Sequence, residues 1–182
     1  MSLSLTQFIE NLEVKPNDDF LSITSSSSSK VDRYMDDIND YYNNLDDQII
    51  YKIINIINRK SSISLRLIEW FVSKYSQNHI IDIYNSDGSL FNIYNSYHNN
   101  TKFYEKKYFD LFRRVNVIKY KFKNNDQMEI NTTISQLNFF KWLIENNIFN
   151  YIEDNKERLM KLMSSDNAIE RDKRKRKVLL NK

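Results

Sequence analysis

Eight basic residues fall between Lys102 and Lys123: Lys102, Lys106, Lys107, Arg113, Arg114, Lys119, Lys121 and Lys123. Only two acids, Glu105 and Asp110, lie among them, and aromatic residues are interleaved: Phe103, Tyr104, Tyr108, Phe109, Phe112, Tyr120 and Phe122. Positive charge beside aromatic rings suits nucleic-acid binding, because cations neutralise phosphates and rings stack on bases. The same pattern fits an aromatic core with solvated lysines outside it, since strand alternation sends Tyr120 and Phe122 to one face. The residues alone leave both readings open. A second basic cluster, RDKRKRKVLLNK at 171–182, holds seven Lys/Arg and one acid. The candidate phosphate contacts are therefore Lys106, Lys107, Arg113, Arg114, Lys119, Lys121 and Lys123, with Lys173, Arg174, Lys175, Arg176 and Lys177 in the tail.

Of the chain's 27 Lys/Arg and 24 Asp/Glu, seven and one lie in this tail, so the remainder is mildly acidic. A basic tail on an acidic body fits a nucleic-acid arm, a nuclear-localisation signal, an anionic-surface anchor or a solubilising extension. Other chemistries are poorly supplied. Cysteine is absent, which removes thiolate catalysis, cysteine-type zinc sites and disulfides. His79 and His98 are the two histidines, too few for a metal cluster, and no nucleophile elbow surrounds a serine. A phosphate-cradling loop needs several glycines, and the chain has one, Gly88. The aspartate pairs 36/37 and 46/47 read as a solvated acidic face before they read as a Mg²⁺ site. We therefore expect no enzyme and no cofactor.

The elements that must carry these residues centre on QMEINTTISQLNFFKWLIENNIFNY, 127–151. Met128, Ile130 and Thr132 alternate as in a half-buried strand. Thr132 or Thr133 then caps a helix, and Gln136 completes a capping box with Thr133. Ile134, Leu137, Phe140, Ile144 and Ile148 form its stripe, widened by Phe139, Trp142 and Leu143 to bury more than one side. Asn146-Asn147 suits a left-handed ending, with a further helix from Asn150 to about Met163. Asn116 to Phe122 alternates as well, so a hairpin is expected near 116–131, with Glu129 opposite a lysine.

Upstream, Ser2–Glu13 has a short helical stripe, without the positive start of a signal peptide. Val14–Lys30, with Pro16 and the serine run 25–29, reads as a linker. Val31 to Asn58 reads as one helix or two. Val31, Met35, Ile38, Tyr42, Leu45, Ile49 and Ile56 fit either a coiled-coil seam for a homodimer through 31–56 or an ordinary core face. Lys52 and Asn55 break the best apolar run, so no membrane span is expected. Ser61 or Ser62 caps a helix over 63–75; His79–Tyr84 reads as a strand, Asn85–Gly88 as a turn and Leu90–Phe112 as helical. The expected architecture is α+β and helix-dominated, with about six helices and a two- or three-stranded antiparallel sheet. Its expected divisions are 1–30, a globular domain at 31–163 and a basic tail at 164–182.

The segments ISLRLIEWFVSKYS (63–76), FNIYNSYHNNTKFYEKKYFDLFRR (91–114) and TTISQLNFFKWLIENNIFNYI (132–152) resemble an uncharacterised protein family of giant DNA viruses, mimivirus-like and phycodnavirus-like. FDLFRR and TTISQLNFFKW carry most of that resemblance, which covers about half the chain. It implies a viral origin and a role in the virion or the infected cell, in the viral factory of the host cytoplasm; the basic tail adds the host nucleus. It implies no catalytic residue. Two functions are carried forward: association with DNA or RNA through the basic corner and tail, and a protein–protein adaptor or structural role with other viral proteins.

Overall fold

The computed structural model describes the backbone of residues 18–180 and the side chains of residues 30–177. The helix expected at Ser2–Glu13 lies outside the described residues. The chain divides into two compact units, Met1–Asp36 and Asp37–Lys182. In the first, the backbone is helical from Asp18, so the serine run 25–29 lies within a helix where the sequence suggested a linker.

Among the described residues the element order is α1 (Asp18–Asn43), α2 (Asp47–Ile57), α3 (Leu65–Trp70), α4 (Ile93–Phe103), β1 (Ile118–Lys121), β2 (Glu129–Thr132), α5 (Ile134–Glu145), α6 (Ile148–Asp154) and α7 (Lys156–Leu180). The fold is helix-dominated α+β with one two-stranded antiparallel sheet. In its register Tyr120 faces Ile130 and Lys121 faces Glu129, as alternation predicted.

The heptad-like stripe is not a continuous seam. α1 ends at Asn43 and α2 restarts after Asp46, whose carboxylate caps it by accepting the Gln48 N–H at 2.7 Å. The restart shifts the buried face of α2 to Ile50, Ile53 and Ile56, while Ile38 and Tyr42 are fully buried in the same unit. Of that stripe Ile38, Tyr42 and Ile56 are buried, and the interruption between α1 and α2 breaks the continuous seam read through 31–56.

Ser64, rather than Ser61 or Ser62, caps α3 by accepting the Leu67 N–H. Ser61 instead accepts the Ile63 N–H just upstream. α3 continues through a π-turn, Phe71–Tyr75, whose extra residue keeps Trp70, Phe71, Val72 and Tyr75 all inward. His79–Tyr84 is not a strand, because it finds no partner beyond the single bridge Tyr84–Leu90. Ile81 and Ile83 are nonetheless buried, and Gly88 takes φ 81° in the turn that follows. α4 starts at Ile93, passes Asn99-Asn100 unbroken and stops at Phe103, where Glu105 adopts φ 60°.

α5 starts at the expected cap, but the capping box is half made, because the Gln136 side chain bonds Thr132 and the Leu111 carbonyl instead of the Thr133 N–H. Thr133 accepts the Gln136 N–H at 3.2 Å, and eight of its residues are buried. Asn147 takes the left-handed conformation, φ 57°. The helix expected from Asn150 to Met163 is two helices, broken at Asn155, and the second runs on to Leu180. The centre of the second unit is aromatic: Tyr42, Phe71, Phe109, Phe122, Phe139, Phe140 and Phe149 are almost wholly buried. The Tyr42 hydroxyl donates to the Leu137 carbonyl at 2.8 Å, fixing the last turns of α1 to α5 within the second unit.

Candidate nucleic-acid interface

The loop that carries Arg113 and Arg114 hangs on the first turns of α5. The Ser135 hydroxyl donates to the Asp110 carbonyl and accepts the Asp110 N–H. Gln136 Nε2 donates to the Leu111 carbonyl at 2.9 Å, and Asn138 Nδ2 to the Tyr108 carbonyl at 3.0 Å. These three side chains are buried, and each gives a loop carbonyl its hydrogen-bond partner. Sequence reasoning missed them as loop anchors. Their signal was three polar residues on a helix otherwise written in Leu, Phe and Trp. Phe109 is the loop's apolar anchor, 5.0 Å from the Phe139 ring and 5.6 Å from that of Trp142.

The hairpin lysines do not form a free cationic surface. Lys119 pairs with Glu129 at 2.7 Å, and Lys121 with Asp126 at 2.5 Å and Glu129 at 3.8 Å. Lys123 pairs with Asp47 at 2.7 Å, and Lys107 with Glu105 at 3.1 Å. The hydrogen bond from Lys121 holds the Asp126 carboxyl below its ordinary range and raises the pKa of the lysine itself. Each of these four cations thus has an acid within ion-pair distance, so Lys107, Lys119, Lys121 and Lys123 are less open to phosphate than the sequence suggested. The interleaved aromatics divide. Phe109, Tyr120 and Phe122 are core, whereas Phe103 and Phe112 are 74% and 45% exposed.

What stays uncompensated is a smaller set. Among the described residues Lys106, Arg113 and Arg114 form no ion pair, and neither does Arg59, which sequence reasoning did not single out. Arg59, Arg113 and Arg114 border one cleft of about 250 Å³ with Phe112, Val117 and the buried Thr132, Thr133 and Gln136.

The tail is helical as far as Leu180. α7 docks through buried Leu159, through Trp70 Nε1 donating to Asp166 at 3.1 Å, and through Lys74–Glu170 at 2.7 Å. That lysine holds the Glu170 carboxyl below its ordinary pKa. Past Glu170 every residue through Lys177 is exposed. Arg174 reaches back to Glu170 at 3.3 Å, whereas Arg171, Lys173, Lys175, Arg176 and Lys177 form no ion pair among the described residues. Of the basic residues between Lys102 and Lys123, the structure brings Arg113 and Arg114 to one cleft and gives Lys107, Lys119, Lys121 and Lys123 acidic partners.

Elsewhere the titratable groups are structural. His79 stacks on Tyr75 with ring centres 3.9 Å apart and bonds to its carbonyl through Nδ1, while His98 sits against Tyr94 and Tyr97. Of the aspartate pairs, Asp37 pairs with Lys141 at 2.6 Å, Asp46 caps α2 and Asp47 holds Lys123. No group of three metal-ligating side chains forms among the described residues. No helix among them is long and apolar enough to cross a membrane.

Comparison with known proteins places the chain in a family. Residues 17–181 match the sequence profile of a family of unknown function, DUF7197. The uncharacterized protein L507 of Acanthamoeba polyphaga mimivirus is 35% identical over 123 residues, 64% of this chain and 48% of that protein. The chain thus spans about half the length of the curated relative it matches. No solved structure matches the chain. The chain belongs to the DUF7197 family, and its mimivirus relative supports the viral origin read from the sequence.

Proposed function

We propose that this member of the DUF7197 family is a non-enzymatic viral protein that associates with nucleic acid, gripping the phosphate backbone through the exposed basic end of α7. The observation that carries this reading is the row Arg171–Lys177. It holds six basic residues and one acid, all solvent-exposed, on a helix whose preceding turns are docked to the fold. Cations without protein carboxylates beside them keep their full attraction for phosphate, and docking limits the freedom lost on binding. Such a protein would act in the viral factory, in the virion or in the host nucleus.

A second reading, an adaptor for other viral proteins, is favoured by exposed apolar side chains at Ile80 (80%), Tyr84 (59%) and Leu90 (44%). The test between them is fluorescence anisotropy of the full chain against duplex DNA and single-stranded RNA. Neutralising Lys173, Lys175, Arg176 and Lys177 to Gln weakens binding at least about tenfold, whereas Lys119→Gln with Lys121→Gln leaves it nearly unchanged. Absence of binding at low salt, or equal losses in the two variants, overturns the proposal.

A further inference from the structure

The cleft bordered by Arg59, Arg113 and Arg114 lies apart from the basic end of α7 in sequence and element, and its construction differs. We infer that it is a binding site for a compact, multiply charged oxyanion, a terminal phosphate or pyrophosphate group. This goes beyond the function proposed above.

Four observations converge on it. First, three guanidinium-bearing residues border one small volume, and neither Asp nor Glu lines it. Arginines brought together without a carboxylate repel one another, and a planar fork of donors matches phosphate oxygens two at a time. Second, the lining includes a hydroxyl that can still donate. Thr133 is 3% exposed, and its oxygen accepts the Gln136 N–H, yet its hydroxyl donates to no acceptor among the described residues. Its neighbours are already committed, since the Thr132 hydroxyl donates to Gln136 Oε1 and Gln136 Nε2 donates to the Leu111 carbonyl. Third, Thr133 is the N-cap of the 12-residue α5, so the positive end of that helix adds to the field in the cleft.

The fourth observation concerns Arg59. It follows the C-cap of α2 with φ 59°, and its N–H bonds to the Ile56 carbonyl while that of Lys60 bonds to Asn55. This is the left-handed position after a helix, which glycine fills most readily. An arginine there is held in a conformation its side chain disfavours, and it faces the cleft with the other two. At about 250 Å³ the cleft falls below the range of sites that enclose whole drug-sized ligands, so it takes one end group. Phe112, Ile57 and Val117 offer an apolar wall to whatever that group is attached to.

The experiment is isothermal titration of the full chain with pyrophosphate and with inorganic phosphate, using Arg59→Gly, Arg114→Gln and the control Lys175→Gln. One saturable site is expected. Arg114→Gln weakens it at least about tenfold and Lys175→Gln leaves it unchanged. Arg59→Gly weakens it as much while its melting temperature stays equal or rises, because glycine relieves the backbone. A second arm compares 5′-phosphorylated and 5′-hydroxyl oligonucleotides. Preference for the phosphorylated end, lost in Arg114→Gln, assigns the site to a nucleic-acid terminus. Saturable pyrophosphate binding without that preference assigns it to a small phosphorylated molecule. Absence of saturable pyrophosphate binding, or equal weakening by Lys175→Gln, overturns the inference and leaves the reading of α7 untouched.

Discussion

Replacing Gln136 by Leu tests how the arginine loop is held. Leucine nearly preserves the volume and leaves the backbone N–H of residue 136 on the Thr133 hydroxyl. It removes two buried hydrogen bonds, Nε2 to the Leu111 carbonyl at 2.9 Å and Thr132 Oγ1 to Oε1 at 2.9 Å. Orphaning a buried polar group costs about 1–3 kcal/mol. Two such groups, partly offset by the extra apolar burial of leucine, amount to about 2–4 kcal/mol. In a unit of this size that lowers the melting temperature by about 5–15 °C. Two measurements check it. Urea unfolding gives the free-energy change, and amide hydrogen exchange shows whether residues 108–114 open before the rest. The accompanying variant Ser135→Ala, which frees Asp110, should be non-additive with it because both hold one loop. A Gln136→Leu protein that melts within about 2 °C of the parent, with unchanged exchange in the loop, would refute the reasoning.

Truncating Phe109 to Ala, at the junction of the loop with the Phe139 and Trp142 rings, should cost about 3–5 kcal/mol by denaturant unfolding. Tyr42→Phe should cost about 1 kcal/mol at neutral pH, since it deletes the buried bond to the Leu137 carbonyl. Burial raises the Tyr41 and Tyr120 phenols to about 12 and lifts Tyr42 well above its ordinary value, so folding favours the neutral rings. That contribution is complete below a pH of about 10, the unfolded value, and is lost as pH rises through about 12. Tyrosinate absorbance should accordingly lag behind that of the denatured chain in this window. Trp70→Phe removes the bond to Asp166 and should speed amide exchange in α7 without changing that of α5.

Local chemistry was legible in the sequence. Thr133 and Gln136 announced a capped helix because a hydroxyl at fixed spacing meets an orphan N–H, and alternation through Tyr120 and Ile130 placed the strands. Glu129 opposite Lys121 followed from the same register. What the sequence concealed depends on residues distant along the chain. Lys123 looks free until Asp47, 76 positions earlier, arrives beside it. The stripe from Val31 to Ile56 looks continuous because Asn44–Asp46 interrupts the helix without a proline or glycine. The state of the basic end of α7 was not legible in its own composition, which cannot bury it; Trp70, Lys74 and Leu159 dock the preceding turns, and the helix runs on through it. Arg59 gave no sequence signal, since its position in the cleft depends on a left-handed turn that arginine rarely takes.

The account rests most heavily on unpaired cations meeting phosphate, and the salt dependence of DNA binding measures that directly. Seven helical residues, 171–177, carry five cations without an ion pair, and one side of a helix presents roughly three of them to a duplex. The logarithm of the affinity should then fall with the logarithm of salt with a slope of about −2.7, or roughly 40-fold between about 50 and 200 mM. Lys173→Gln with Lys177→Gln, one turn apart, should flatten that slope to about −0.9. A slope near zero, or one that the double variant leaves unchanged, would contradict the account.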